Sequence, residues 1–135
     1  MSKEFNFVDL FCGAGGLSCG LEMSGMNCLL GTDQEKSAIS TFKKNHPNAE
    51  TFVDDISKLS KDKIKKLIGG KKIHLVCGGP PCQGMSTVGL GIPDDPRNFL
   101  FLEFVRIVKE LKPDYIILEN VTGMVGKRIK KFLMQ

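Results

Sequence analysis

At 135 residues and 41% apolar composition, the chain is sized for one domain with one ordinary core. It has no run of eighteen apolar residues and no signal-like apolar stretch in the opening MSKEFNF. This excludes a transmembrane helix and predicts a cytoplasmic protein. The net charge of +4 is unevenly spread: residues 58–72 carry seven lysines against one acid, and 127–131 carry four more basic residues. That fits a polyanion partner without demanding one, and the solvated outer face of a helix is the plainer reading of 58–72.

The pattern alternates short apolar runs with helical ones. FNFVDLF (5–11) reads as a buried strand followed by glycines. GLSCGLEMSG (16–25) reads as a helix with Leu17 and Leu21 four apart and Gly25 as its stop. NCLLGTD (27–33) is a second strand, and 34–47 a second helix with Ala38 and Phe42 inward and Pro47 ending it. ETFVDDI (50–56) is a third strand. Ser60 caps a helix over 61–68 whose Ile64, Leu67 and Ile68 share one face. KIHLVCGG (72–79) is a fourth strand. The run 97–113 is a long helix that buries Leu100, Phe101, Phe104, Val105, Val108 and Leu111. YIILEN (115–120) is a fifth strand, and a last helix starts near Thr122.

Five strands alternating with helices predict an α/β fold, a mostly parallel sheet with helices on both faces. Ligands of such sheets sit beyond the carboxyl ends of the strands. The polar and glycine-rich residues gather there: CGAGG after the first strand, Asp33 after the second, Asp55 at the third, GGPPC after the fourth, Glu119-Asn120 after the fifth.

Each strand end carries its own chemistry. Gly13-x-Gly15 between strand and helix gives a ligand room to approach backbone. Asp33, eighteen positions after Gly15, can take both ribose hydroxyls of a nucleoside. A dinucleotide fingerprint would place a third glycine at 18, where this chain has Ser18, which weakens a nicotinamide-dinucleotide reading. Asp55 can accept from an exocyclic amine with Ile56 flanking the ring, although Asp54 or Asp55 serves equally as a helix cap. At the mouth of an apolar strand Glu119 should be partly desolvated, which raises its proton affinity and makes it a candidate acid, unless a lysine or arginine pairs with it.

The five cysteines include no C-x-x-C pair, and there are only two histidines, so a zinc site is unsupported. Cys12, Cys19, Cys28 and Cys77 are expected as small buried apolar residues. Cys82 differs, because two prolines and flanking glycines fix it in a loop on the same edge as Glu119. A thiol held in this way is a candidate nucleophile.

These segments resemble the DNA (cytosine-5) methyltransferase family. DLFCGAGGLSCGLE is similar to its cofactor motif, GGPPCQGMS to its Pro-Cys catalytic motif, DDPRNFLF to the segment after the catalytic loop, and LENV to its Glu-Asn-Val motif. They follow the family's order across residues 7–125. The resemblance implies a Rossmann-like S-adenosylmethionine-dependent methyltransferase fold, incomplete at the C-terminus. It also implies roles. Phe11, Gly13 and Gly15 would shape the S-adenosylmethionine pocket, Asp33 would bind the ribose, and Gln34 would lie beside the adenine. Asp55 and Ile56 would hold the adenine, with Pro81 and Leu100 near the methyl donor. Cys82 would be the nucleophile and Glu119 would hold the target base. Gln83, Ser86, Asn120 and Val121 would belong to the substrate side and its loop, with residues 83–97 closing over a flipped base. Double-stranded DNA is the implied partner, in a restriction–modification system.

The chain departs from the family in two respects. Met85 stands where an aromatic residue is common. The Arg-x-Arg motif, the target-recognition region and the returning last helix are missing. The expectation is therefore a fragment or one half of a split enzyme, inactive alone and awaiting a second polypeptide. Three other readings remain open: a tRNA cytosine-5 methyltransferase, a non-catalytic S-adenosylmethionine-binding subunit, and a nicotinamide-dinucleotide Rossmann protein.

Overall fold

A computed structural model describes residues 4–81 and 99–119. The strands are β1 (Asn6–Leu10), β2 (Asn27–Asp33), β3 (Glu50–Val53), β4 (Leu75–Gly78) and β5 (Tyr115–Leu118). The helices are α1 (Gly16–Met23), α2 (Lys36–Asn45), α3 (Lys61–Leu67) and α4 (Phe99–Leu111), with a 3-10 turn at Ile56–Lys58. All the strand pairings are parallel, in the order β3-β2-β1-β4-β5. The chain winds outward from β1 through β2 to β3, then crosses back to place β4 on the other side of β1. The crevice beyond the carboxyl ends of β1 and β4 is thus the topological switch point, where such sheets bind ligands.

The alternation of side chains along each strand sorts the core into two layers. Val8, Leu10, Leu30 and Val76 face one side and pack with Ile64, Phe104 and Ile107. Phe7, Cys28, Leu75 and Cys77 face the other and pack with Leu21, Ile39 and Phe42. Helices α3 and α4 therefore cover one face, and α1 and α2 the other. Arg106 braces the first layer. Its Nη2 donates to the carbonyls of Ile56 and Leu59, both at 3.1 Å, while Nε reaches Glu103 at 2.7 Å and Nη1 reaches Glu110.

Several boundaries differ from the sequence reading for local reasons. The third strand stops at Val53 because Asp55 accepts from the Ser57 N–H and starts the 3-10 turn. The fourth begins only at Leu75, where pairing with Phe7 of β1 starts. In α2 the buried pair is Ile39 and Phe42, with Ala38 at the margin. In α4 the fully covered residues are Phe101, Phe104 and Ile107. Leu100, Val108 and Leu111 flank them, and Val105 is half-buried. The helix ends in a left-handed residue, Lys112, at φ 48°. Ser60 caps α3 as expected, accepting from Lys63 N–H at 3.1 Å. The last helix expected near Thr122 lies outside the described residues, and among the described residues no helix is long and apolar enough to cross a membrane.

Cys19 corrects one expectation. It lies exposed on the outer side of α1, while Cys12, Cys28 and Cys77 are buried. Burial holds the Cys12 and Cys77 thiols far above their ordinary range and pushes Cys28 to about 12. Because the thiolate is the reactive form, native alkylation is expected to label Cys19 and spare these three, as read by peptide mass spectrometry. Labelling of Cys77 at the rate of Cys19 would contradict the packing.

Candidate functional site

The turn after β1 is built from backbone that bends the wrong way for most residues. Phe11, Gly13 and Gly15 have φ of 57°, 55° and 95°. The glycines adopt this region freely, whereas Phe11 is strained there, a condition that clusters at functional sites. The turn is tied on its open side: Cys12 N–H donates to Thr32 O and Gly13 N–H to Asp33 Oδ2, both at 2.9 Å. The other carboxylate oxygen of Asp33 accepts from Glu35 N–H at 2.9 Å. Asp33 thus spends one lone pair of each oxygen on backbone, and among the described residues the others are left open. The amide of Gly13, which a phosphate-binding glycine loop would turn toward its ligand, is already committed to a carboxylate.

Beyond these residues lies a cavity of about 260 Å³ at the switch point. Phe11, Ile56, Pro81 and Leu100 form its apolar walls, and Gly79 lies at the β4 side. Its polar lining is Thr32, Asp33, Gln34, Glu35 and Asp54. Among the described lining residues there are three carboxylates and no lysine or arginine, although Lys58 Nζ lies 3.2 Å from Asp54 Oδ1, so the described lining favours a cationic or hydroxyl-rich ligand over an anionic one. Thr32 adds a buried Oγ1 with no hydrogen-bond partner among the described residues.

Asp9, in β1, does not line this cavity and is 1% exposed. Its Oδ2 accepts from Ser18 Oγ at 2.5 Å. Burial pushes its carboxyl up to about 6 from 3.8, against the Ser18 and Cys77 hydrogen bonds, which pull it down. An acid raised in this way holds its proton more tightly folded than unfolded. Its favourable contribution is present below the unfolded value and is lost as pH rises through the folded one. Ionised at neutral pH, Asp9 then costs up to about 3 kcal/mol of stability. Asp9→Asn, which keeps an acceptor for Ser18, is expected to stabilise the chain at pH 7.5 and to have little effect near pH 4. Urea unfolding at both values checks this, and an equal effect at both would contradict it. Asp54 and Asp55 behave oppositely: hydrogen bonds from the Asp55 and Ser57 backbone N–H groups, respectively, hold them below the usual range, so their contribution is lost only in stronger acid.

The sequence-derived site residues do not all meet at the cavity. Phe11, Asp33, Gln34, Ile56, Pro81 and Leu100 line the cavity together. Gly13 and Gly15 shape the turn beside it. Asp55 does not line it: its side chain caps the 3-10 turn, and Asp54 faces the cavity in its place. Cys82, Gln83, Ser86, Asn120, Val121 and the loop 83–97 lie outside the described residues. Glu119 is exposed among the described residues, at the end of the outermost described strand, β5, whose Ile116 and Ile117 are exposed as well. Its carboxylate lies over Gly79, where a Cβ would stand 2.5 Å from Oε2, and its N–H donates to Gly78 O. That packing sets Glu119 against the segment leading to Cys82. Sequence reasoning missed Thr32, Asp54 and His46; Asp54 was named only as a cap.

A family model described as C-5 cytosine-specific DNA methylase matches residues 5–135. The chain belongs to this family. It is 42% identical over 124 residues to the type II methyltransferase M1.HphI of Haemophilus parahaemolyticus, covering 90% of this chain and 33% of that one. It is 41% identical over 121 residues to M.AgeI of Thalassovita gelatinovora, covering 88% and 28% respectively. Among solved structures, a DNMT2 variant of Spodoptera frugiperda superposes with a TM-score of 0.72 at 28% identity, covering 97% of this chain and 40% of that one. The chain thus spans about a third of the length of the curated relatives it matches. The parallel five-stranded sheet is the Rossmann-like arrangement of the methylase family.

Proposed function

We propose that this chain is the cofactor-binding and nucleophile-bearing part of an enzyme that methylates C5 of cytosine in double-stranded DNA, as part of a restriction–modification system, with S-adenosylmethionine as cofactor. The observation that carries the cofactor is the lining of the cavity. S-adenosylmethionine is a nucleoside with a sulfonium, an ammonium and one carboxylate, net positive, and in this cavity it would meet three carboxylates among the described residues. A nicotinamide dinucleotide would bring a pyrophosphate to the same acids and to a Gly13 amide already bonded to Asp33. The free lone pairs of Asp33 would take the ribose hydroxyls, Ile56 would flank the adenine with Gln34 beside it, and Pro81 and Leu100 would line the methyl end. Asp54, on the cavity wall, is better placed than Asp55 for the adenine amine.

When bound, the cofactor supplies an electrophilic methyl group. The rest is done by side chains. Cytosine C5 is a poor nucleophile, and the Cys82 thiolate would add to C6, moving the ring's electron pair onto C5, which then takes the methyl. Glu119, protonated, would neutralise charge arising at N3 during the addition. Removal of the C5 proton returns the electron pair, and the Cys82–C6 bond breaks. The target must leave the base stack first, because C6 is shielded within it. The family model's description as a cytosine-specific DNA methylase favours DNA over tRNA as substrate.

The remaining parts would come from further polypeptide, continuous with this chain or separate. Supporting this are the one-third coverage of the relatives and the apolar residues Tyr115, Ile116 and Ile117 left exposed on β5. The test is transfer of labelled methyl to duplex DNA and to tRNA, by the chain alone and with polypeptide supplying the remainder. The expected result is no transfer alone, transfer to duplex DNA with the remainder present, and none with Cys82→Ser. Transfer by the chain alone would overturn the incomplete-enzyme reading, and label on tRNA only would overturn the substrate.

A further inference from the structure

His46 is 2% exposed at the end of α2, and neither the chemistry above nor the cavity lining uses it. Its Nε2 lies 3.0 Å from Gly15 O, and since a carbonyl only accepts, Nε2–H donates. Gly15 O also accepts from Cys19 N–H at 2.8 Å, the first hydrogen bond of α1, so both of its lone pairs are used. The ring sits 4.5 Å from that of Phe42, and Nδ1 lies 3.2 Å from Glu22 Oε1 of α1. A Cβ on Gly15 would lie 2.5 Å from His46 Nε2 and 2.8 Å from Phe42, so the imidazole occupies the space this glycine leaves. The preceding residue, Asn45, directs its Nδ2 toward Ala14 O at 3.4 Å.

These contacts complete a clamp. Asp33, just before α2, holds the turn through Gly13 N–H; His46, just after α2, holds it through Gly15 O. The two anchors belong to one β–α unit and grip opposite ends of Gly13–Gly15.

We propose that His46 is a positioning residue for the cofactor turn: its Nε2–H fixes Gly15 in the left-handed conformation and so sets the start of α1 and the wall of the cavity. The link to cofactor affinity rests on the S-adenosylmethionine reading. The link to the turn does not. Ring packing on Phe42 requires no donor, and the Nδ1 contact with Glu22 requires none on Nε2; this role requires the Nε2 donor. Glutamine can place an N–H near the Nε2 position, whereas phenylalanine keeps a ring without a donor.

The test is amide hydrogen exchange of residues 12–19 in the ligand-free full chain, with calorimetric titration of S-adenosylmethionine alongside. His46→Phe is expected to speed exchange of the Cys19 amide about tenfold or more and to weaken cofactor binding by a similar factor, while His46→Gln stays within about threefold of the wild type. If phenylalanine behaves as the wild type, or if both variants exchange fast, the donor role is overturned. A third readout needs no variant: nitrogen NMR of the wild-type imidazole must find a proton on Nε2, and a ring protonated on Nδ1 alone would overturn the bond. If the wild type fails to bind S-adenosylmethionine, the cofactor reading falls, while the exchange and NMR results still decide the role of His46.

Discussion

Replacing Phe42 with alanine is expected to lower the unfolding free energy by about 3–5 kcal/mol, the range for deleting a buried aromatic ring from a core that cannot collapse. Phe42 is fully covered. Its ring lies where a Cβ on Gly31 of β2 would otherwise intrude, and it backs both Gly15 and His46. The backbone of β2 cannot move inward to close the gap, because it pairs with β1 on one side and β3 on the other. Urea unfolding with an unchanged m-value checks this, and a loss under about 1 kcal/mol would contradict the packing. Gly31→Ala is expected to destabilise for the opposite reason, overpacking against the same ring.

Asp33→Ala is expected to weaken S-adenosylmethionine binding about a hundredfold or more. Hydrogen bonds to a charged group contribute roughly 1.5–3 kcal/mol each, and the substitution would remove the proposed ones to the ribose together with the anchors of the turn. The Gly13 and Glu35 amides both lose their acceptor. Asp33→Asn should be nearly as damaging, since one amide oxygen cannot replace two carboxylate oxygens and the amide nitrogen would face an N–H. Calorimetry on folded variants reads the change, and a loss of less than about threefold would mean that Asp33 serves the turn and not the ligand.

The strand–helix alternation was legible because each parallel strand is a short apolar run bounded by glycine, proline or acid; β2 begins and ends where its sequence suggested, at Asn27 and Asp33. Strand order was not legible, since the crossing back from β3 to β4 leaves no local signature. The cavity walls at Phe11, Asp33, Ile56, Pro81 and Leu100 were legible, because a parallel sheet brings its strand ends to one edge. Asp54 and Asp55 could not be separated, because adjacent acids compete for one cap and only the backbone direction after β3 decides which takes it. His46 was hidden for another reason: the space it fills is defined by a glycine 31 residues away. A signal was present nonetheless, a histidine followed by proline at the end of an amphipathic helix, with too little context to interpret. Glu119 ends β5, the outermost of the described strands, and is exposed among the described residues, so strand composition alone does not say what covers it.

The central claim is that the acid-lined cavity at the switch point takes a cationic nucleoside. The most direct measurement is calorimetric titration of the purified chain with S-adenosylmethionine, with a nicotinamide dinucleotide in parallel. Saturable binding of S-adenosylmethionine and none of the dinucleotide is the result predicted by three carboxylates and a committed Gly13 amide. Binding of the dinucleotide in place of S-adenosylmethionine would contradict it.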